Sequence, residues 1–106
     1  GTCIRDYIHV SDLADAHVLA LGHLMNGAES LSLNCGYGHG YSVRQVIAVV
    51  ERVAGVSLNT AIAPRRQGDV AALVADNANI LSTLPWTPNH DDLEFMIQTA
   101  LDWERR

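Results

Sequence analysis

"RDYIHVSDLADAHVLALGHLM" (residues 5–25) is the stretch that decides the fold. Its first six residues alternate between polar and apolar side chains, as in a short half-buried strand. Apolar residues then recur at spacings of three and four, which predicts a helix over 12–25 with Ser11 as its N-cap. We interpret Asp12 and Asp15 as acids of the first turn, where the helix dipole favours negative charge. The stretch therefore predicts a strand that runs directly into an amphipathic helix.

The remainder of the chain continues this alternation. Further strands are predicted at "ESLSLNCG" (29–36), "VSLNTAIA" (56–63) and "VAALVA" (70–75), and further helices at 42–54, from Asp76 to Leu84, and from Asp91 or Asp92 onward. Strands that alternate with helices indicate an α/β fold with at least partly parallel strands. We treat residues 1–106 as a single unit, because no internal repeat and no low-complexity stretch interrupts them.

The helix at 42–54 has the clearest local signals. Ser42 and Gln45 have the spacing of a capping box, and Gly55 stands where a helix end requires positive φ. Its apolar stripe consists of Val43, Val46, Ile47, Val50 and Val53. These signals predict both ends of the helix and the face that it buries.

Composition limits the classes of partner. The net charge of −5 argues against nucleic acid, which requires clustered positive charge, whereas a small anionic ligand needs only one or two arginines. The two cysteines lack metal-ligand spacing, so we expect reduced thiols and no metal site. We expect no membrane partner and a cytoplasmic location, because no apolar run approaches the roughly 20 residues of a membrane span.

Three glycines, Gly36, Gly38 and Gly40, lie between a predicted strand and a predicted helix. The dinucleotide fingerprint G-x-G-x-x-G would require its third glycine at position 41, which is Tyr41. We therefore interpret the segment as a turn with unusual backbone geometry, with a loop that wraps a ligand or neighbouring domain as the alternative.

Arg5 and the "RRQGD" loop (65–69) suggest an anion site. Guanidinium groups bind phosphate oxygens bidentately and keep their charge near neutral pH. Arg5 and Arg66 could therefore bind the two phosphates of a nucleotide diphosphate, and Asp69 could accept hydrogen bonds from the same ligand. The alternative is that the loop is an ordinary solvated surface.

These residues also resemble a known family. "GTCIRDYIHVSDLADAHVLAL", "LNCGYGHGYSVRQVI" and "APRRQGDVAALVAD" resemble, in this order, the C-terminal region of the UDP-glucose 4-epimerase family within the extended short-chain dehydrogenase/reductase superfamily. The resemblance runs from residue 1 almost to the end. It implies the C-terminal substrate-binding part of that fold.

The resemblance implies roles for five residues. Arg5 and Arg66 correspond to diphosphate-binding arginines, and Tyr7 to a pocket residue beside the first of them. Val43 corresponds to a residue packed near the nucleotide, and Asp69 to an acid that hydrogen-bonds the ribose. None of these residues is catalytic.

The resemblance also implies a UDP-sugar as ligand, NAD as cofactor and a homodimeric parent. In the family a Tyr-x-x-x-Lys pair supplies the base while hydride passes to NAD and back to a 4-keto sugar. All seven basic residues here are Arg, so this chain cannot contain that pair. Leu73 stands where well-studied epimerases have a Tyr near the sugar, which leaves the sugar specificity open.

We therefore expect this chain to be part of a longer enzyme, with the NAD-binding domain in a preceding segment and no turnover by the chain alone. On this view the helices at 12–25 and 42–54 would expose apolar surface when that domain is absent. Two alternatives remain: a related nucleotide-sugar dehydratase, decarboxylase or reductase of the same superfamily, and a non-catalytic module that binds a nucleotide-sugar or a partner.

Overall fold

A computed structural model describes residues 2–64 and 66–105. Gly1 and Arg65, the first arginine of the "RRQGD" loop, lie outside the described residues, as does Arg106. The elements in chain order are β1 (Ile4–Arg5), α1 (Val10–Met25), β2 (Tyr41–Ser42), α2 (Val43–Ala54), β3 (Ala72–Leu73), α3 (Ala78–Thr83) and α4 (Leu93–Glu104). The predicted α/β class, with short strands alternating with helices, is confirmed.

The three short strands form one sheet in the order β2-β1-β3. The central strand pairs antiparallel with β2, where Ile4 lies opposite Ser42, and parallel with β3, where Arg5 lies opposite Leu73. Each strand has two residues, so the ladders are minimal. Backbone bonds beside the ladders extend them, from Ile4 N to Ala71 O at 2.9 Å and from Val43 N to Cys3 O at 3.1 Å.

Two predicted strands are wrong. Residues 29–36 and 56–63 are not in a strand, and the predicted strands at 5–10 and 70–75 are reduced to β1 and β3. An alternating pattern specifies which side chains would face a core, but a strand exists only when a neighbour accepts and donates its backbone hydrogen bonds. Within the described residues, neither 29–36 nor 56–63 has such a neighbour.

Helix α1 begins earlier than predicted. Its N-cap is His9 rather than Ser11, because the His9 ring accepts a hydrogen bond from the Ser11 amide at 3.0 Å. Asp12 lies in the first turn, as predicted, but its side chain is fully buried and bonded to other segments, whereas exposed Asp15 falls outside that turn.

The face that α1 buries is not the one with the largest side chains. Asp12 and Ala16 are buried, together with half-buried Leu19 and Ala20. The opposite side exposes an apolar stripe of Val10, Ala14, Val18, Leu21 and Met25. This outward stripe agrees with the expectation of exposed apolar surface on the first helix.

Helix α2 follows its local signals at both ends. Ser42 and Gln45 form the capping box, and Gly55 adopts φ +71° as the C-cap. The helix packs against α4, so Val46, Ile47, Val50 and Val53 are half-buried and only Val43 of the stripe is exposed. The apolar face of this helix is therefore partly covered by α4, although none of its residues is fully buried.

The other two helices also begin near the predicted residues. Asp92 caps α4 by accepting hydrogen bonds from the amides of Glu94 and Phe95, and Asp76 accepts from Ala78 at the start of α3. The core lies between α1, α3 and the segment before α4 and contains Ala16, Tyr37, Ile80, Leu84 and Trp86. Among the described helices, none is both long and apolar enough to cross a membrane.

Candidate anion-binding site and its supporting turn

Arg5 lies at the end of the central strand, next to the loop that carries Arg66 and Asp69. Its Nη1 donates to the carbonyl oxygens of Ile4 and Val70, both at 2.8 Å. Among the described residues no carboxylate lies within ion-pair distance of Arg5. The guanidinium therefore keeps an uncompensated positive charge and has donors left for an anion.

The loop before β3 presents the second guanidinium. Asp69 N donates to Arg66 O at 3.2 Å across a turn in which Gly68 has φ +84°. The Arg66 side chain is 86% exposed and contacts both oxygens of Asp69, with Nε–Oδ2 at 3.2 Å and Nη2–Oδ1 at 3.4 Å. This planar contact limits the orientations of Arg66, since the fork of a guanidinium matches the two carboxylate oxygens.

Arg5, on the central strand, contacts the segment that joins the Arg66 loop to β3. The loop is bonded to β1 twice in succession, through Val70 O to the Arg5 side chain and through Ala71 O to the Ile4 amide. Two arginines separated by some sixty positions in sequence are thus attached to one loop. Of the five residues implied as ligand-binding, Arg66 and Asp69 contact each other, and Arg5 contacts the carbonyl oxygen of the residue after Asp69.

The other two residues lie around the same strand. Tyr7 is half-buried and follows β1 by two residues. Val43 begins α2 and lies across β1 from the Arg66 loop, since β2 and β3 flank opposite sides of the central strand. Leu73 is exposed and lies opposite Arg5 in the parallel register.

The glycine turn holds a carboxylate of this chain. Asp6 Oδ1 accepts from Tyr37 N at 3.0 Å, and Asp6 Oδ2 accepts from Gly38 N at 3.0 Å. Gly38 has φ +83°, as predicted for a turn with unusual backbone geometry. Successive backbone amides that converge in this way form an anion site, and here the anion is internal.

This occupancy decides whether the turn fits NAD. A dinucleotide phosphate would need the amides that Asp6 already uses, and the backbone at Gly40 is closed because an added Cβ would lie 2.6 Å from Ile4 Cγ2. The third glycine of the fingerprint is also missing at Tyr41. The described residues of this turn therefore do not fit NAD.

A second buried network surrounds Asp12. Its carboxylate accepts hydrogen bonds from Tyr37 Oη at 2.5 Å, from Asn89 N at 3.1 Å and from His90 N at 2.9 Å. Its backbone carbonyl accepts from Trp86 Nε1 at 2.9 Å. One side chain thus connects α1, the glycine turn and the segment that leads into α4.

The hydrogen bonds to Asp12 lower its pKa more than burial raises it. Burial raises the pKa of Asp12, but the three donors stabilise the carboxylate more and hold the pKa below its ordinary value. Tyr37 responds in the opposite direction: burial, together with its bond to the charged Asp12, raises the pKa of Tyr37. Tyr37 is therefore a neutral donor at physiological pH.

His9 completes this network. Its amide donates to Tyr37 Oη at 3.1 Å, and its Nδ1 accepts from Ser11 N. Nε2 therefore carries the hydrogen and contacts Thr99 Oγ1 at 2.9 Å, which ties the start of α1 to α4. The His9 ring also stacks with Phe95 at 5.2 Å between centroids.

Sequence reasoning missed Asp6 and the role of Asp12. Both are acids whose partners are backbone amides in distant segments, and such partners leave no pattern near the acid itself. The glycine spacing at 36–40 was the available signal, because a turn with converging amides requires a negative partner. The described residues contain no group of three or more side chains suited to a metal ion.

Comparison with known proteins identifies what the chain is similar to. The sequence profile of the NAD dependent epimerase/dehydratase family matches residues 1–36. The UDP-glucose 4-epimerase of Azospirillum brasilense is 56% identical over 105 residues, which are 99% of this chain and 30% of that enzyme. The resemblance to UDP-glucose 4-epimerases is therefore confirmed.

Solved structures show the same likeness in three dimensions. A crystal structure of a UDP-glucose 4-epimerase superposes with a TM-score of 0.92 at 43% identity, covering 99% of this chain and 32% of that one. The enzyme from Stenotrophomonas maltophila, with bound NAD and formylated UDP-arabinopyranose, gives 0.90 at 44% identity, covering 98% and 31%. The chain thus spans about 30% of the length of the curated relatives that it matches.

Proposed function

We propose that this chain is the UDP-sugar-binding portion of an enzyme of the UDP-glucose 4-epimerase type, in which Arg5 and Arg66 bind the pyrophosphate. The observation that carries the proposal is the attachment of both arginines to one loop, through the contact of Arg5 with Val70 O and the contact of Arg66 with Asp69. A pyrophosphate carries charge on two linked groups, so two guanidinium groups on adjoining segments suit it better than a single cation.

The other residues of the site have supporting roles. Asp69 accepts two hydrogen bonds from the Arg66 guanidinium. When that guanidinium binds phosphate instead, the carboxylate can accept a hydrogen bond from a ribose hydroxyl. Tyr7 and Val43 line the nucleotide side of β1. The ligand class is supported by the relatives, whose names specify UDP-glucose or a bound UDP-sugar.

The reactive groups belong to another part of the enzyme. This chain has no lysine and its glycine turn is filled by Asp6, which supports a Tyr-x-x-x-Lys base and an NAD site in a separate domain. NAD, which is bound in several of the similar structures, would supply reversible oxidation of the sugar. We accordingly propose UDP-glucose and UDP-galactose as the substrates of the complete enzyme, a dimeric cytoplasmic protein.

A chimera tests this function. The matching 105-residue region of the Azospirillum brasilense enzyme is replaced by this chain, which the 56% identity makes feasible. We expect the chimera to interconvert UDP-galactose and UDP-glucose, whereas the isolated chain should bind UDP weakly and turn over no substrate. Arg5→Ala and Arg66→Ala should each weaken inhibition by UDP about tenfold or more, because each removes a charged phosphate contact.

Arg52→Ala is the matched control. Arg52 is an exposed arginine of α2 that pairs with Glu94 at 3.7 Å, so its removal changes the net charge equally without touching the proposed site. The proposal is overturned if a folded, NAD-loaded chimera has no affinity for UDP. It is also overturned if the three alanine variants bind UDP equally well.

A further inference from the structure

We infer that Asp6 is a positioning residue that fixes the distance between Arg5 and the Arg66 loop; this inference rests on the proposed function. Asp6 follows Arg5 directly but contacts different segments. Its carboxylate accepts the Tyr37 and Gly38 amides of the glycine turn, and Oδ2 also accepts Ala75 N at 3.2 Å. One side chain therefore connects β1 to the segments on both sides of it.

The sheet needs this connection because its ladders are short. Each ladder pairs two residues and ends at Arg5, where the proposed phosphate contact begins. Asp6 continues the connection one residue further, to the turn that precedes β2 and to Ala75, which follows β3. Hydrogen bonds to a charged acceptor are stronger than those between neutral groups, so three of them stabilise this short sheet substantially.

The packing around the carboxylate leaves little freedom. A Cβ at Gly36 would lie 2.6 Å from Asp6 Oδ2 and 2.7 Å from Ala75 Cβ. The Gly36 carbonyl is held in addition by Asn77 Nδ2 at 3.0 Å. The carboxylate is thus enclosed by the turn and by Ala75, and a displacement of either segment would break its hydrogen bonds.

The consequence for the anion site follows from the connectivity. Ala75 is two residues beyond β3, and β3 is preceded by the loop that carries Arg66. By holding Ala75 against β1, Asp6 sets where this loop lies relative to Arg5. Asp6 itself need not touch the ligand, because its three hydrogen bonds are to peptide groups of the protein.

The test uses the chimeric holoenzyme and two inhibitors, UDP and uridine, which differ only in the pyrophosphate. The asparagine side chain keeps one acceptor oxygen, but its NH2 group would face a peptide N–H, and two donors cannot bond to each other. We expect Asp6→Asn to raise the inhibition constant of UDP about tenfold and that of uridine less than about twofold. Asp15→Asn, at an exposed acid of α1, is the control and should change neither constant.

A coupled variant separates positioning from general destabilisation. In a protein that already carries Arg66→Ala, Asp6→Asn should raise the inhibition constant of UDP by less than about a further twofold. The guanidinium that Asp6 would position is already absent. Gly36→Ala, which displaces the same carboxylate from the opposite side, should reproduce the selective loss for UDP and serves if Asp6→Asn does not fold.

The inference is overturned if Asp6→Asn raises the inhibition constants of UDP and uridine by the same factor. It is also overturned if the effect of Asp6→Asn on the UDP constant is as large in the Arg66→Ala protein as in the wild type. A wrong proposed function has a different signature. In that case Arg66→Ala alone would leave the inhibition constant of UDP unchanged, so failure of the positioning role and failure of the site are distinguished.

Discussion

At the scale of single residues, the molecule depends on acids that accept hydrogen bonds from distant backbone. Asp12 has no exposed surface and yet remains a carboxylate, because Tyr37 and two amides of the segment 89–90 donate to it. Removing a donor from a buried charged group leaves that group undersatisfied, which costs more than an ordinary hydrogen bond contributes. The free energy of unfolding should therefore depend measurably on pH.

Tyr37→Phe tests this dependence. At neutral pH we expect the free energy of unfolding to fall by about 1–3 kcal/mol, because the Asp12 carboxylate loses its hydroxyl donor. The pKa of Asp12 in the folded chain lies below the ordinary value of 3.8, so its stabilisation is present above that value and is lost as the pH falls through the folded pKa. The difference between wild type and variant should therefore narrow in acid.

Urea unfolding at about pH 7, 5 and 3 measures this difference. Tyr41→Phe, at a half-buried tyrosine of β2, is the control and should cost less than about 0.5 kcal/mol. A difference that stays constant from neutral to acid would show that Tyr37 acts through packing rather than through the carboxylate.

At the scale of elements, the helix ends were predictable because their determinants are local. The capping box of α2 needs only Ser42 and Gln45, and the end of that helix needs only Gly55. The start of α1 was not predictable in the same way, because its cap is His9, a residue held in place by Tyr37 and Thr99 from elsewhere in the chain. The local sequence determines where a helix begins or ends unless tertiary contacts provide a better capping residue.

Two glycines give opposite predictions for the same substitution. Gly55→Ala should destabilise the chain by about 1 kcal/mol, because φ +71° is unfavourable for a residue with a Cβ. Gly22→Ala, inside α1 where an added Cβ meets no atom within 4 Å, should stabilise it by about 0.5–1 kcal/mol through helix propensity. Thermal unfolding of both variants checks the signs, and an unchanged or raised stability of Gly55→Ala would contradict the assignment of Gly55 as a left-handed C-cap.

At the scale of the whole molecule, the chain is a thin slab. Its extents are 51 × 36 × 18 Å, and its radius of gyration is 16.5 Å. A compact domain of this length would have a radius of about 13 Å. The flat shape explains why Val18, Leu21 and Met25 remain 69%, 59% and 77% exposed on α1.

The same shape explains what the sequence could not reveal. The pattern at 29–36 correctly separates apolar Leu33 and Cys35, which pack near the core, from exposed Ser32 and Asn34. It could not reveal that no strand lies beside them among the described residues. The candidate site behaved similarly: the arginines could be proposed from their chemistry, but the attachment of both to one loop through Val70 and Asp69 emerges only in three dimensions.

The exposed stripe predicts self-association of the isolated chain. We expect concentration-dependent association and binding of a hydrophobic dye, because contiguous apolar surface of this kind is rarely left in water. The double variant Val18→Thr/Leu21→Gln should reduce both, whereas Val56→Thr, 53% exposed beyond the end of α2, should not. A monodisperse monomer without dye binding, measured by light scattering and fluorescence, would contradict this prediction.

The close fit between Gly36 and Asp6 restricts how this protein can evolve. An alanine at 36 would collide with the carboxylate, and a longer acid at 6 would collide with the turn. Because an added Cβ would also meet Ala75 Cβ, a side chain at 36 would need a shorter residue at 6 and more space beside Ala75. Among homologues, these two positions should co-vary: any member with a side chain at 36 should have a shorter residue at 6 and a different means of joining its strands.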